Sequence, residues 1–180
     1  MRPERAGLAL LLTAGAASIG LSPSAAAFGP TIIAGLAIQD VDGKVRPLPD
    51  PHIAVLLIYE DRKAGGQNRH VDPLLIKLRR PVNATKVELL PIADVESYDF
   101  WPAHSIVTKH IRGLIAREKL PIYCDWHGAI RRALGVEPGH SLLVLLDSEG
   151  RVRFAGSGPI PAAEEASLAA RLTELGADVR

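Results

Sequence analysis

The sequence predicts an α/β sandwich in which helices cover both faces of a central, mixed sheet. Two observations carry this. From His52 onward, apolar runs of strand length alternate with helical periodicity. The last two runs, SLLVLLD and RVRFA, are separated only by Ser148-Glu149-Gly150, which reads as a tight antiparallel hairpin at one sheet edge.

Taken in order, AIQDVDGKVRPL predicts an N-terminal hairpin extension, because Asp42-Gly43 supplies the turn between two short strand-like runs. HIAVLLIYE is a continuous run rich in Ile and Val, the pattern of a strand buried on both faces. A helix is expected from about Gly65 through Leu74, Leu75 and Leu78, ending before Pro81. KVELLPIADVE is a second buried strand. In WPAHSIVTKHIRGLIAREK, Val107, Ile111, Leu114 and Ile115 recur at helical spacing. LPIYCD is a short third strand, and GAIRRALG a brief helix stopped by Gly135. Pro161 suits the start of a last helix whose stripe is Leu168, Ala169, Leu172 and Leu175.

Ahead of this pattern, Arg2 and Arg5 precede the apolar AGLALLLTAGAA, and SAAA before Phe28 offers an Ala-x-Ala cleavage site. Residues 1–27 therefore read as a secretory signal peptide and 28–180 as one domain, exported to the bacterial periplasm or secreted. Cleavage would remove two arginines and Glu4 and leave acidic and basic side chains balanced. Arg79-Arg80 and Arg131-Arg132 are isolated pairs and aromatics are few, so the basic footprint of a nucleic-acid binder is missing. A single cysteine, Cys124, excludes an intramolecular disulfide.

Three segments resemble thioredoxin-fold proteins of the redoxin type. GGQNRHVDPLLIKL is similar to the Cys-Gly-x-Cys helix of that family. Gly65 and Asn68 fall at the two cysteines, Gly66 at the glycine and Pro73 at the helix proline. IYCDWHGAIRRALGV resembles the strand, Asp turn and short helix of peroxiredoxin-like members, and HSLLVLLDSEGRVRFAGSG resembles the closing hairpin. More narrowly, YEDRKAGGQN, PIADVESYDFWPA and IYCDW resemble the exported YtfJ-type subgroup, which has the fold without the redox pair. The resemblance implies a thioredoxin-like three-layer α/β/α sandwich. Ser141 stands roughly where thioredoxins hold a cis-proline, and the peroxidatic Pro-x-x-x-Thr-x-x-Cys is missing.

Thiol chemistry needs a stabilised thiolate and a second thiol or partner that resolves the product. Alternation places Cys124 on the strand face of Ile122, opposite Tyr123 and Asp125. It reads either as a small buried hydrophobe or as a reactive thiol flanked by Asp125 and His127, used with an external thiol. The six histidines show no ligand spacing, since His104 and His110, six apart on one helix, face different ways. A periplasmic metal carrier is the remaining alternative; no cofactor is expected. Gly65-Gly66 lacks the lysine of a phosphate loop.

Acidic and aromatic residues follow the carboxyl ends of the strands, where an open α/β sheet places its crevice. They are Tyr59, Glu60 and Asp61, then Asp94, Tyr98, Phe100 and Trp101, then Asp125 and Trp126. Phe100 and Trp101 could equally plug the top of the core. The candidate binding residues are thus Glu60, Asp61, Gly65, Gly66, Gln67, Asn68, Asp94, Trp101, Asp125 and Ser141. A helix opening near Gly65 would aim unpaired N–H groups at a protein or peptide partner.

Overall fold

The computed structural model describes residues 32–179. The expected signal peptide and the start at Phe28 lie outside these residues. Five strands form the central sheet in the order β5-β4-β3-β6-β7. They are β3 (Ala54–Glu60), β4 (Val87–Asp94), β5 (Tyr123–Asp125), β6 (Leu142–Leu146) and β7 (Val152–Ser157). The β3–β4 and β4–β5 pairs are parallel; β6 runs antiparallel to both β3 and β7. The hairpin of β1 (Leu36–Gln39) and β2 (Val45–Leu48) is a separate two-stranded sheet.

The alternation of side chains along the strands divides the core. Val55, Leu57 and Tyr59 of β3 join Leu90, Ile92, Leu142 and Val144 on one face. That face is covered by Ile38 and Leu48 of the hairpin and by Ile130 and Leu134 of α3 (Ala129–Leu134). On the opposite face Leu56, Leu89, Leu143 and Leu145 pack against α1 (Asp72–Leu78) through Leu74 and Leu78. Leu168 and Leu172 of α4 (Ala162–Glu174) complete this layer. Further along the same face, Ile111 of α2 (Ala103–Glu118) meets Cys124, Val95 and Trp126. The three-layer architecture expected from the sequence is therefore present. Arg46 pins the hairpin across the sheet, with its guanidinium 2.6 Å from Glu88 and 3.0 Å from Asp50.

The helix expected to open near Gly65 begins later. Residues 61–68 form turns, Arg69–Val71 a single 3-10 turn, and α-helical geometry starts at Asp72, so that Pro73 stands in the first turn. The reason is local chemistry. Asp61 Oδ1 accepts from the backbone N–H groups of Lys63 and Ala64, both at 2.7 Å, which closes a turn that competes with helix. Gly66, not Gly65, takes the left-handed conformation, at φ +87°. The late start leaves α1 only seven residues long, and the upper sheet around Ile58 and Glu60 is left without a helix over it.

Candidate functional site

The carboxyl ends of β3, β4 and β5 bring Glu60, Asp61, Asp94 and Asp125 to one end of the sheet, as the crevice rule requires. Their environments differ. Asp125 is only 3% exposed and works as a turn anchor. It accepts from the N–H of Ala129 at 2.8 Å, the N–H of Arg131 at 3.0 Å and the Tyr59 hydroxyl at 3.1 Å. These bonds satisfy the opening of α3. Burial first, and the neighbouring carboxylates after it, hold the Tyr59 phenol above its ordinary range.

Asp94 lies 3.3 Å from Arg131 Nε. Arg131 also pairs with Glu96, as does Arg132 at 3.2 Å. Gly128 permits this approach, because a Cβ there would lie 2.5 Å from the Glu96 carboxylate. Asp61, Asp94, Glu96, Tyr98 and Arg131 line a polar cleft of about 540 Å³. Sequence reasoning noted Arg131 only as half of a basic pair; its place after the Asp125 turn was the available signal.

Where the resemblance places the two cysteines, the chain builds a buried amide cluster. Asn68, 6% exposed, donates from Nδ2 to Ser141 Oγ at 2.6 Å and to the Gly158 carbonyl at 3.0 Å, while its Oδ1 accepts from Ile160 N–H at 2.8 Å. Gln67 donates to the Gly139 carbonyl at 2.7 Å and accepts from Ser141 N–H at 3.1 Å. Asp61 takes a third N–H, that of Gly139, at 2.8 Å. Burial opposes its ionisation, but the three N–H donors outweigh that, and its pKa lies below the ordinary value. Asp61, Gln67, Asn68 and Ser141 are thus brought together, with their hydrogen-bonding capacity spent on the loops before β6 and after β7. Gly65 and Gly66 lie exposed beside them.

Trp101 is 85% exposed and Phe100 60%, so neither plugs the core. That role belongs to Trp126, buried beneath a His104 ring whose centroid lies 3.8 Å away. Cys124 is 2% exposed in the cluster with Ile111 and Trp126, on the Ile122 face as alternation requires. Desolvation, with a smaller contribution from Asp40, pushes its thiol up to about 11. The carboxylate that acts on it is therefore Asp40, since Asp125 faces the other way. His127 is directed elsewhere too, with Nδ1 3.1 Å from Asp99. Among the described residues, no three His, Cys, Asp or Glu side chains converge as a metal site.

Glu60 lies beside the polar cleft, whose Asp61, Arg62, Asp94 and Tyr98 also line the larger compartment next to it. It sits half-buried where two apolar compartments meet between α1 and α2, of about 450 and 600 Å³, floored by Ile58 and Pro91. Burial first, and then Asp72 and Asp61, raise its pKa. Sequence reasoning missed this groove. Its one signal was Pro91 in an otherwise apolar strand. β3 pairs with β4 at Ile58–Pro91, whereas β5 begins only opposite Ile92, so on the β5 side Pro91 stands at the edge of the ladder, a position that tolerates proline.

No family model matches the chain, and no curated protein matches it in sequence. Solved structures do match. The DsbE thiol:disulfide interchange protein of Chlorobium tepidum aligns with a TM-score of 0.57 at 19% identity, covering 79% of this chain and 96% of its own. The exposed lipoprotein thioredoxin of Streptococcus pneumoniae gives 0.57 at 17% identity, covering 78% and 99%. Peroxidoxin BcpB of Mycobacterium tuberculosis gives 0.55 at 15% identity, covering 81% and 94%. The fold is thioredoxin-like. At these identities the likeness shows the fold alone, and its redoxin neighbours include both disulfide-exchange proteins and peroxiredoxins.

Proposed function

We propose that this thioredoxin-like chain is an exported accessory protein that holds a protein or peptide partner and carries out no dithiol exchange, as the resemblance to the YtfJ-type subgroup implies. The observation that carries this reading is the fate of the second cysteine position. It is occupied by Asn68, whose amide is buried and bonded to Ser141, Gly158 and Ile160. The one thiol in the chain, Cys124, is buried with its pKa raised to about 11, opposite to what a nucleophile needs. Periplasmic export is part of the proposal. It rests on the signal-like pattern of residues 1–27 and accords with a fold neighbour being an exposed lipoprotein.

A Cys124-dependent peroxidase working with an external thiol is the second reading, and the peroxidoxin neighbour favours it. Turnover of insulin disulfides and of hydrogen peroxide, each with dithiothreitol, decides between the two. The accessory reading expects rates equal to those of Cys124→Ser. Activity that disappears on that substitution gives the protein to the second reading. Mass spectrometry of exported material should give a chain beginning at Phe28; an intact Met1 removes the export proposal.

A further inference from the structure

The groove between α1 and α2 has three properties that together specify an occupant. It is apolar: Ile58, Leu89 and Pro91 of the sheet form its floor, and Ile76 on α1 and Ile106 on α2 are 64% and 66% exposed along it. Both compartments are open to solvent, which suits a segment laid along them better than an enclosed small molecule. Where they join stands a carboxylate, Glu60, that has no ion pair and accepts no side-chain hydrogen bond from the described residues.

The charges facing Glu60 decide the polarity of that occupant. Asp61 and Asp72 are its acidic neighbours, and Asp61 is kept ionised by three N–H donors. Three arginines also line the groove, Arg69 and Arg79 in one compartment and Arg62 in the other, but none is among the charges that act on Glu60, which are Asp72 and Asp61. Arg62 is turned toward Tyr98, and Arg79 donates to the Glu118 carbonyl at the far end. His110 enters from α2 and forms no ion pair. At Glu60 an anionic group would meet that carboxylate together with Asp61 and Asp72, and a purely apolar one would desolvate Glu60 further without a partner. A cation attached to an apolar chain meets both demands.

We propose that this groove binds an extended peptide segment whose apolar side chains fill the two compartments and whose lysine or arginine pairs with Glu60. This rests on the accessory-protein reading and moves its contact surface from the amide cluster, where hydrogen bonds are spent, to the uncovered sheet between the helices.

The test is selection of a randomised heptapeptide phage library on the purified protein, on Glu60→Gln and on Ile106→Glu, with circular dichroism confirming that each variant is folded. The native protein should enrich apolar heptapeptides with lysine or arginine at one position at least fivefold over the input. Glu60→Gln should keep the apolar enrichment and lose the basic one; Ile106→Glu should lose both. The proposal is overturned by an acidic consensus, by no consensus, or by basic enrichment that persists on Glu60→Gln. A selected peptide carrying a benzophenone should cross-link to residues 72–78 or 103–118; cross-links confined to α3 or the β1–β2 hairpin also overturn it. A periplasmic partner captured equally by native protein and Ile106→Glu removes the groove and leaves the accessory reading intact. Cys124-dependent turnover removes the accessory reading, while the peptide selection still judges the groove.

Discussion

Cys124 and Glu60 are both ionisable groups held against their charged forms, and each couples folding to pH. For Cys124 the folded pKa of about 11 exceeds the ordinary thiol value of 9.0. The folded state therefore keeps its proton where the unfolded chain loses it, and stability falls as pH rises from about 9 through about 11. The loss attributable to this group is on the order of 2 kcal/mol. It should be absent from Cys124→Ala, so the stability difference between native protein and that variant should shift by this amount in urea titrations across that range. Cys124→Ser should cost about 1–3 kcal/mol, through a buried hydroxyl without a partner. Glu60 behaves in the same sense at lower pH. Its folded pKa lies above the unfolded one, so its relative stabilisation is complete below the ordinary carboxylate range and lost as pH rises. Glu60→Gln should consequently unfold at higher urea than the native protein at pH 7, with the advantage shrinking by pH 4. A variant less stable at pH 7 would contradict the absence of a partner for Glu60.

At the scale of elements, the segment between β3 and α1 is shaped by where its polar groups find partners. Asp61, Gln67 and Asn68 join loops more than seventy residues away, holding the turn before β6 and the exit of β7 together. Asn68→Ala would leave the buried Ile160 N–H without its acceptor and take one of two donors from the Gly158 carbonyl, which keeps the Ser141 hydroxyl. It should cost about 2–4 kcal/mol by chemical denaturation. Gly66→Ala should cost about 1 kcal/mol, because of its positive φ; the Arg69 side chain 2.8 Å from the added Cβ is exposed and can swing away. Gly65→Ala, at a residue without positive φ and with no neighbour closer than 3.7 Å, should be close to neutral. Equal losses at the two glycines would contradict the turn as described.

For the whole molecule, the question is whether the scaffold keeps latent redox capacity. Thioredoxin chemistry draws on a thiolate at a helix N-terminus, and here residues 65 and 68 precede α1 by several positions. Gly65→Cys with Asn68→Cys should therefore yield a protein destabilised by the lost Asn68 bonds. Its insulin reductase rate should fall at least about 100-fold below that of an ordinary thioredoxin, a deficit of about 3 kcal/mol in barrier. Parity with thioredoxin in that assay would show that the late helix start has no chemical consequence.

The order and type of the main strands and helices are written in local patterns along the chain. Burial on both faces writes continuous apolar runs, amphipathic helices write Val107, Ile111, Leu114 and Ile115, and Asp42-Gly43 and Ser148-Glu149-Gly150 write turns. All are interactions between near neighbours, so a local pattern contains them. It also placed Cys124 on its correct face, because strand alternation has a period of two. The remaining features depend on residues far apart in the chain. Asn68 is an exposed binding amide or a buried clamp according to Ser141, Gly158 and Ile160. Trp101 plugs the core or stands in solvent according to whether Trp126 has already filled the space. The groove exists because α1 starts late and β5 is only three residues long, leaving Ile58, Pro91 and Glu60 uncovered. No window along the chain contains that vacancy, since the groups that define it meet only when the sheet is assembled.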